Sequence, residues 1–280
     1  MLERTDRVLL AVPECDSVIE TYGRLFDAAV INDQTDGEAN ARRVTLQWGR
    51  DQLEALAPLG PGPVADFLSE GRRGLFAGGF SLRDPASLAA HLEGEGVRVH
   101  EQGLDRFVVF PADLGGTGVV LTRREERERV GLIDRIWQIS FAVPQLEPAV
   151  ERYARLLRLG GVFTHRYSSE LYGYDAAVTW LDARPGGMLD SLEYVEPVDQ
   201  GKAIGRFVDR GGPGIYMISV GTDQVDEIRK RVTSTGPGWD GGSGSADFIH
   251  PLRLHGLLLG VGSFERMGAT RPLPGDESTN

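Results

Sequence analysis

The side chains able to hold a metal or attack a substrate are few and scattered in this sequence. Cys15 is the only cysteine, which excludes an internal disulfide, a thiolate zinc cage and an iron–sulfur cluster. The five histidines form no ligand spacing. His91 falls in an amphipathic helical stretch, His100 and His165 lie near strand ends or loops, and His250 and His255 flank the final turn. A metal held by His250 and His255 would need a carboxylate in reach, with Glu193 the candidate; the other reading is a loop histidine bonded to backbone. Glycine-rich GPGWDGGSGS at 236–245 lacks the lysine and following Ser/Thr of a phosphate loop, so it reads as a flexible loop. HRYSSELYGYDAAVTW at 165–180 gathers three tyrosines, a pattern of pocket mouths and, more commonly, of strand edges.

The elements that must position such groups belong to a soluble globular chain. Its 280 residues, 41% hydrophobic and 25% charged, suit two domains of about 140 residues each. The 41 acidic against 30 basic residues leave a net charge of −11, which speaks against nucleic acid or an anionic membrane as partner. MLERTDRVLLAVPE lacks a signal-peptide layout, and no stretch approaches the roughly 18 apolar residues of a membrane span. The expectation is a cytoplasmic protein.

The chain also repeats itself. RVLLAVPECDSVIETYGRLF at 7–26 aligns without gaps on QISFAVPQLEPAVERYARLL at 138–157. LEALAP at 53–58 answers LEYVEP at 192–197, ADFLSEGRRGLF at 65–76 answers GRFVDRGGPGIY at 205–216, and GVVL at 118–121 answers GLLL at 256–259. Order and spacing hold across all four blocks, which indicates duplication. Each half is doubled again. Apolar strands at 8–12, 75–82, 136–143 and 215–220 are each followed by helical spacing, at 16–27, 85–95, 147–158 and 223–234. Further extended runs follow, RRVTLQW, LEAL, VRVHE, RFVVF and GVVLT among them. The unit is strand–helix–strand–strand–strand, four times over. The expected division is a first domain at 1–124, a charged linker at 125–132, a second domain at 133–268 and a disordered tail at 269–280.

The paired βαβββ unit, the A-V-P closing the first strand of each half and the two L-E-x-x-x-P segments resemble the vicinal-oxygen-chelate superfamily. That superfamily includes glyoxalase I, methylmalonyl-CoA epimerase, extradiol dioxygenases and bleomycin-resistance proteins. FVDRGGPGIYMISVGTDQVDEI and FIHPLRLHGLLLGV are most similar to the epimerase branch. The resemblance covers about residues 5–265 and implies an α+β fold, with four βαβββ modules forming two cup-shaped mixed sheets in tandem. It also implies a metal set drawn from His or Gln six residues before the first-strand proline, Glu or Gln in the fourth strand, His in the fifth and Glu in the last. Those positions read Arg7, Glu54, Ala77 and Thr122 in the first cup, and Gln138, Glu193, Met217 and Gly260 in the second. An arginine repels a divalent cation, and Met and Gly supply no hard donor. No metal and no other cofactor is expected.

What survives is a carboxylate in each cup. A carboxylate set in apolar surroundings is a stronger base than one in water. Glu193, with Gln138 on the same face and Tyr216 and Met217 beside it, could take a proton from the carbon next to a carbonyl. The enolate would then lean on the Gln138 amide, a tyrosine hydroxyl or an arginine. Equally open is a vestigial Glu193 merely bonded to Gln138. In the first cup, Arg7 and Glu54 form a buried ion pair plugging the old metal position, or Arg7 grips a ligand carboxylate or phosphate. His250 and His255 complete the candidate substrate-binding set, and the loop at 236–245 is a candidate lid over the second cup. The leading expectation is a metal-independent isomerase or lyase of a small carbonyl compound or acyl thioester, with Glu193 as acid/base in the carboxy-terminal cup. A non-catalytic, antibiotic-type binding or resistance protein is the first alternative, and a divalent-metal dioxygenase or epimerase with a non-standard ligand set the second. The family also leads one to expect a homodimer.

Overall fold

A computed structural model of the chain describes residues 2–181, 190–241 and 247–264. The first module is β1 (Arg4–Ala11), α1 (Asp16–Phe26), β2 (Ala29–Asp36), β3 (Ala41–Trp48) and β4 (Asp51–Pro58). After a short helix, α2 (Pro63–Ser69), the second is β5 (Gly74–Leu82), α3 (Pro85–Gly94), β6 (His100–Glu101), β7 (Arg106–Val109) and β8 (Gly118–Arg123). The third is β9 (Arg135–Ala142), α4 (Leu146–Leu156), β10 (Thr164–Ser169), β11 (Tyr174–Trp180) and β12 (Ser191–Pro197). Helix α5 (Ala203–Gly211) leads to the fourth, β13 (Gly214–Gly221), α6 (Val225–Ser234), β14 (Trp239–Asp240), β15 (Asp247–Ile249) and β16 (Leu259–Gly262).

The strands form two eight-stranded mixed sheets of identical order, β2-β3-β4-β1-β5-β8-β7-β6 and β10-β11-β12-β9-β13-β16-β15-β14. At the centre of each, first strands of two modules pair antiparallel, β1 with β5 and β9 with β13. Strands alternate their side chains between faces; helices α1, α3, α4 and α6 cover one face of the sheets, and the shorter α2 and α5 pack at the other. Helix α1 sends Val18, Tyr22 and Leu25 inward, where Tyr22 meets Trp48 edge-on with ring centres 5.6 Å apart. Its counterpart α4 buries Tyr153 against Phe141, 5.1 Å away. Each large side chain buried this way contributes about 1.5–3 kcal/mol.

The two helix-covered faces share one apolar core, in which Val8, Leu10 and Trp48 of the first sheet cluster with Ile139, Phe141 and Tyr194 of the second. Polar stitches follow the seam. Thr5 donates its amide to Asp190 Oδ1 at 2.8 Å and its hydroxyl to the Ile136 carbonyl at 2.9 Å. Asp51 accepts the Ile136 amide at 2.6 Å. With the helices turned toward one another, both cups face outward.

Expected strands and helices are found with shifts of a few residues at their ends. Strand β2 is exposed along all but its last residue, so it carries no apolar alternation to announce it. Helices α2 and α5 explain why the blocks at 65–76 and 205–216 repeat. The fourth block is in different register from the sequence alignment. Gly79 pairs with Val120, and its counterpart Ser219 with Gly260, so Gly260 answers Val120 and Thr122 is answered by Gly262. In the loop at 236–245, Trp239 and Asp240 pair with β15 as a short strand; residues 242–246 and the tail at 269–280 lie outside the described residues. Among the described residues no helix is long and apolar enough to cross a membrane.

Backbones of the two halves touch at Gly74 (φ 86°) and Gly256 (φ 95°), where a Cβ on Gly74 would come within 2.4 Å of the Gly256 carbonyl carbon. Gly74→Ala therefore meets both a left-handed φ and an immovable neighbour. It should lower unfolding stability by at least about 2 kcal/mol, read as a fall in the urea midpoint without loss of a single transition.

Candidate functional site

In the first cup, a bulge in β1 between Thr5 and Arg7 turns Asp6 and Arg7 toward each other. Arg7 donates two hydrogen bonds to Asp6, at 3.2 and 3.1 Å, and one to Glu54 at 3.0 Å. Arg106 closes on the same carboxylate in bidentate fashion, at 2.8 and 2.7 Å. Arg43 Nε stands 4.0 Å away, while its Nη1 bonds Asp36 at 3.0 Å and Gln102 at 2.8 Å. Gly79 makes room: a Cβ there would fall 1.8 Å from Arg7 Cγ. Glu54 is 2% exposed. Burial alone would raise its pKa, but Arg106, Arg7 and Arg43 hold it below the usual carboxylate range. Asp6 is likewise lowered, against burial, by Arg7 and Arg127. The far end of the cup is filled by Leu9, Leu56, Val120 and the Phe67–Phe76–Phe110 stack. Arg7 and Glu54 are thus brought together.

The second cup keeps the carboxylate and changes its company. By strand register, Arg7 is answered by Gln138 and Arg43 by Ala176; the counterpart of Arg106 falls at residue 246, outside the described residues. Glu193 is 6% exposed. Ser140 donates its hydroxyl to Oε2, and Tyr167, cross-strand from Ala176, donates its phenol to Oε1. Gln138 Nε2 donates to Ser140 Oγ at 3.3 Å. Among the described residues no lysine or arginine contacts Glu193. Burial, then the Glu193 charge, push the Tyr167 phenol up, and the same two causes push Tyr174 up to about 12. Both therefore stay protonated at neutral pH and act as donors.

The walls are apolar. A bulge between Ile215 and Met217 leaves Tyr216 unpaired in the ladder, and it packs edge-on against Phe207 of α5 at 5.3 Å. Met217 is half-buried near Gly260, where a Cβ would come within 3.3 Å of its methyl. Val178 and Trp180 cluster with Trp137, Phe163, Tyr167 and Phe264. Phe110, which caps the stack in the first cup, is answered by His250, and that difference leaves Tyr216 half-exposed. His250 is itself exposed, its Nδ1 accepting the Leu252 amide at 3.2 Å. His255 lies outside the cup, its Nε2 sharing a hydrogen bond with Thr21 Oγ1 of α1 at 2.9 Å. So Gln138 and Glu193 meet through Ser140, with Met217 paired to Ser140 in the ladder and Tyr216 in the bulge beside it, whereas the two histidines join neither one another nor Glu193.

Two residues that hold Glu193 were missed from the sequence. Ser140 could have been found by counting two along from Gln138. Tyr167 was visible only as one of three clustered tyrosines. For a divalent cation the donors fit poorly. Among the described residues no three of His, Cys, Asp and Glu converge, and both oxygens of Glu193 are engaged by hydroxyls. A cavity of about 380 Å³ opens near the start of α6, between Asp223 and Asp247; it is remote from Glu193 in the sheet and holds none of these groups.

No protein-family model matches the chain, and no curated protein matches it. Among solved structures, a triple variant of 4-hydroxymandelate synthase from Streptomyces coelicolor superposes with a TM-score of 0.68 at 14% identity, covering 93% of this chain and 92% of that one. A Streptomyces coelicolor methylmalonyl-CoA epimerase variant in complex with 2-nitronate-propionyl-CoA covers 47% of this chain and 96% of its own, with 26% identity and a TM-score of 0.40. The Mycobacterium tuberculosis methylmalonyl-CoA epimerase covers 46% of this chain and 87% of its own, with 23% identity and a TM-score of 0.38. The full-length superposition shows the vicinal-oxygen-chelate fold in its tandem form.

The two carboxylates should respond differently to loss of charge. Glu54→Gln strands buried guanidinium groups and should cost about 3–5 kcal/mol. Glu193→Gln keeps hydroxyl partners and should change stability by under about 1 kcal/mol. Urea unfolding of both variants checks the contrast. Because Asp6 and Glu54 have lowered pKa values, their stabilisation is present above the unfolded carboxylate range near pH ~4 and is lost as pH falls through the folded values. Thermal unfolding of the native protein should therefore fall steeply below pH ~4, with a shallower slope in Glu54→Gln.

Proposed function

We propose that the second cup is the active site of a metal-independent isomerase or lyase acting on a small carbonyl compound or acyl thioester, with Glu193 as acid/base. One observation carries this reading. The carboxylate at the same place in the duplicated sheet is clamped by guanidinium groups in the first cup and, among the described residues, held by hydroxyl donors in the second. A carboxylate neutralised by arginines is a poor proton acceptor.

In the proposed step, Glu193 removes a proton from the carbon adjacent to the substrate carbonyl. The C–H electron pair moves into the carbon–carbon bond and onto oxygen, giving an enolate. The spare N–H of Gln138 supports that oxygen by hydrogen bonding. Protonated Glu193 then returns the proton to the same carbon in an isomerase, or the enolate expels a β-substituent, which takes up the Glu193 proton, in a lyase. Tyr216, Met217 and Phe207 give the substrate's carbon skeleton an apolar bed. No step needs a metal, in keeping with a donor set that reads Gln138, Glu193, Met217 and, in the register of β16, Gly262.

The same geometry also supports binding without turnover, because a buried carboxylate beside Tyr167, which packs against Tyr174, suits a ligand ammonium group. Incubation in deuterated water with propionyl-N-acetylcysteamine and with pyruvate separates the readings. Deuterium should enter the carbon next to the carbonyl in at least one probe, and Glu193→Gln should slow this by about 10²–10⁴-fold. Absence of exchange with every carbonyl probe, together with saturable binding of an alkylammonium probe that Glu193→Gln abolishes, would replace the enzyme by the binder.

A further inference from the structure

We propose that Asp51 and Asp190 form a proton-holding latch across the seam between the two halves, closed while one of the pair is a neutral carboxylic acid and loosened when both are ionised. The two are counterparts in the repeat: Gln52 lies opposite Arg7 and Ser191 opposite Gln138, and each aspartate stands one residue before. Both are fully buried. Each reaches into the other half for a main-chain amide. Asp51 Oδ2 accepts the Ile136 N–H at 2.6 Å, and Asp190 Oδ1 accepts the N–H of Thr5, the counterpart of Ile136, at 2.8 Å. Thr5 Oγ1 also stands 2.9 Å from two oxygens, Asp190 Oδ1 and the Ile136 carbonyl. Its one hydrogen goes to the carbonyl. A proton on Asp190 completes the other contact, donated to Thr5 as Thr5 donates to Ile136.

The charges round the pair agree. Arg4 donates to Asp51 Oδ1 at 3.2 Å, but its counterpart Arg135 lays its guanidinium over the Phe264 ring, 4.6 Å from the centre. Among the described residues no cation pairs with Asp190, and its Oδ2 is buried without a partner. The other charged groups at the seam are already matched. Asp6 on β1 is held by Arg7 and Arg127, and Arg50 pairs with Asp134 at 3.3 Å. Two buried carboxylates thus have one guanidinium in contact, and ionising both leaves a charge out of water without a counter-ion. Burial pushes Asp51 up to about 8 against the pull of Arg4, with Asp6 and Asp190 adding to the rise. Burial likewise raises Asp190, against Arg135 and Arg4. Ile136 lies two residues ahead of Gln138 on β9, so the latch fixes the strand that carries this side chain into the second cup. It operates whether or not Glu193 does chemistry.

A carboxyl with a raised pKa gives its full stabilisation below the ordinary carboxylate range near pH ~4 and loses it as pH climbs through the folded value. The latch therefore weakens between pH ~4 and ~8. Urea unfolding of the full chain from pH ~5 to ~9 measures this, in the native protein and in Asp190→Asn. The variant keeps a carbonyl oxygen for the Thr5 amide and cannot ionise. Because the native fold holds a proton that the unfolded chain releases, the ratio of native to variant unfolding constants should grow by roughly tenfold or more across that range. A second measurement needs no variant. Amide hydrogen exchange at Thr5 and Ile136, corrected for its intrinsic dependence on pH, should gain on that at Leu10 by roughly tenfold over the same range. A ratio of unfolding constants that stays level would overturn the latch. So, should Asp190→Asn fail to fold, would exchange at Thr5 and Ile136 that keeps step with Leu10.

Discussion

A carboxylate taken out of water must be given partners, and this chain satisfies that demand twice, in two ways. In one sheet the partners are charged and permanent, and Glu54 becomes part of a rigid network running from Asp36 through Arg43 and Arg7 to Asp6. In the other they are neutral hydroxyls, those of Ser140 and Tyr167 on Glu193. The backbone at the two places is the same: a fourth strand parallel to a first strand, with Leu9 opposite Glu54 and Ser140 opposite Glu193. Side-chain choice alone separates a filled scaffold from a candidate reaction chamber.

Ionic filling extends beyond the charges themselves. Arginine stems occupy space that a ligand would need, and Gly79 is required so that the Arg7 stem can lie across β5. At the apolar end, Phe67 meets Phe76 edge-on and Phe76 packs against Phe110. In the second sheet two of those aromatics persist as Phe207 and Tyr216, but the third position is His250, which turns outward to cap the 3-10 turn at Pro251–Arg253.

Much of the architecture was legible because it is repeated. Helices such as α1 and α4 announce themselves by apolar residues at helical spacing, and the A-V-P segments mark the first strands. Strand β2 was not legible, since its side chains face water and its identity comes from pairing with β3 alone. The alignment of GVVL with GLLL erred by two residues: apolar alternation is preserved by any even shift, and only the ladder with β5 and β13 fixes the register. Within the site, the sequence pointed to Glu193 and Gln138 through their place in the repeat. It could not bring in Tyr167, whose role depends on a cross-strand neighbour, Ala176, being too small to hold it off. Nor could it send His255 to the seam, where its partner Thr21 comes from a helix more than two hundred residues away.

The shared apolar seam carries a consequence for the history of such a chain. Once duplicated halves bury their helix-covered faces against one another, each becomes the solvent-excluding lid of the other, and neither can be shed when its own chemistry lapses. Each half is then retained for the surface it covers on the other, whatever side chains fill its own cup.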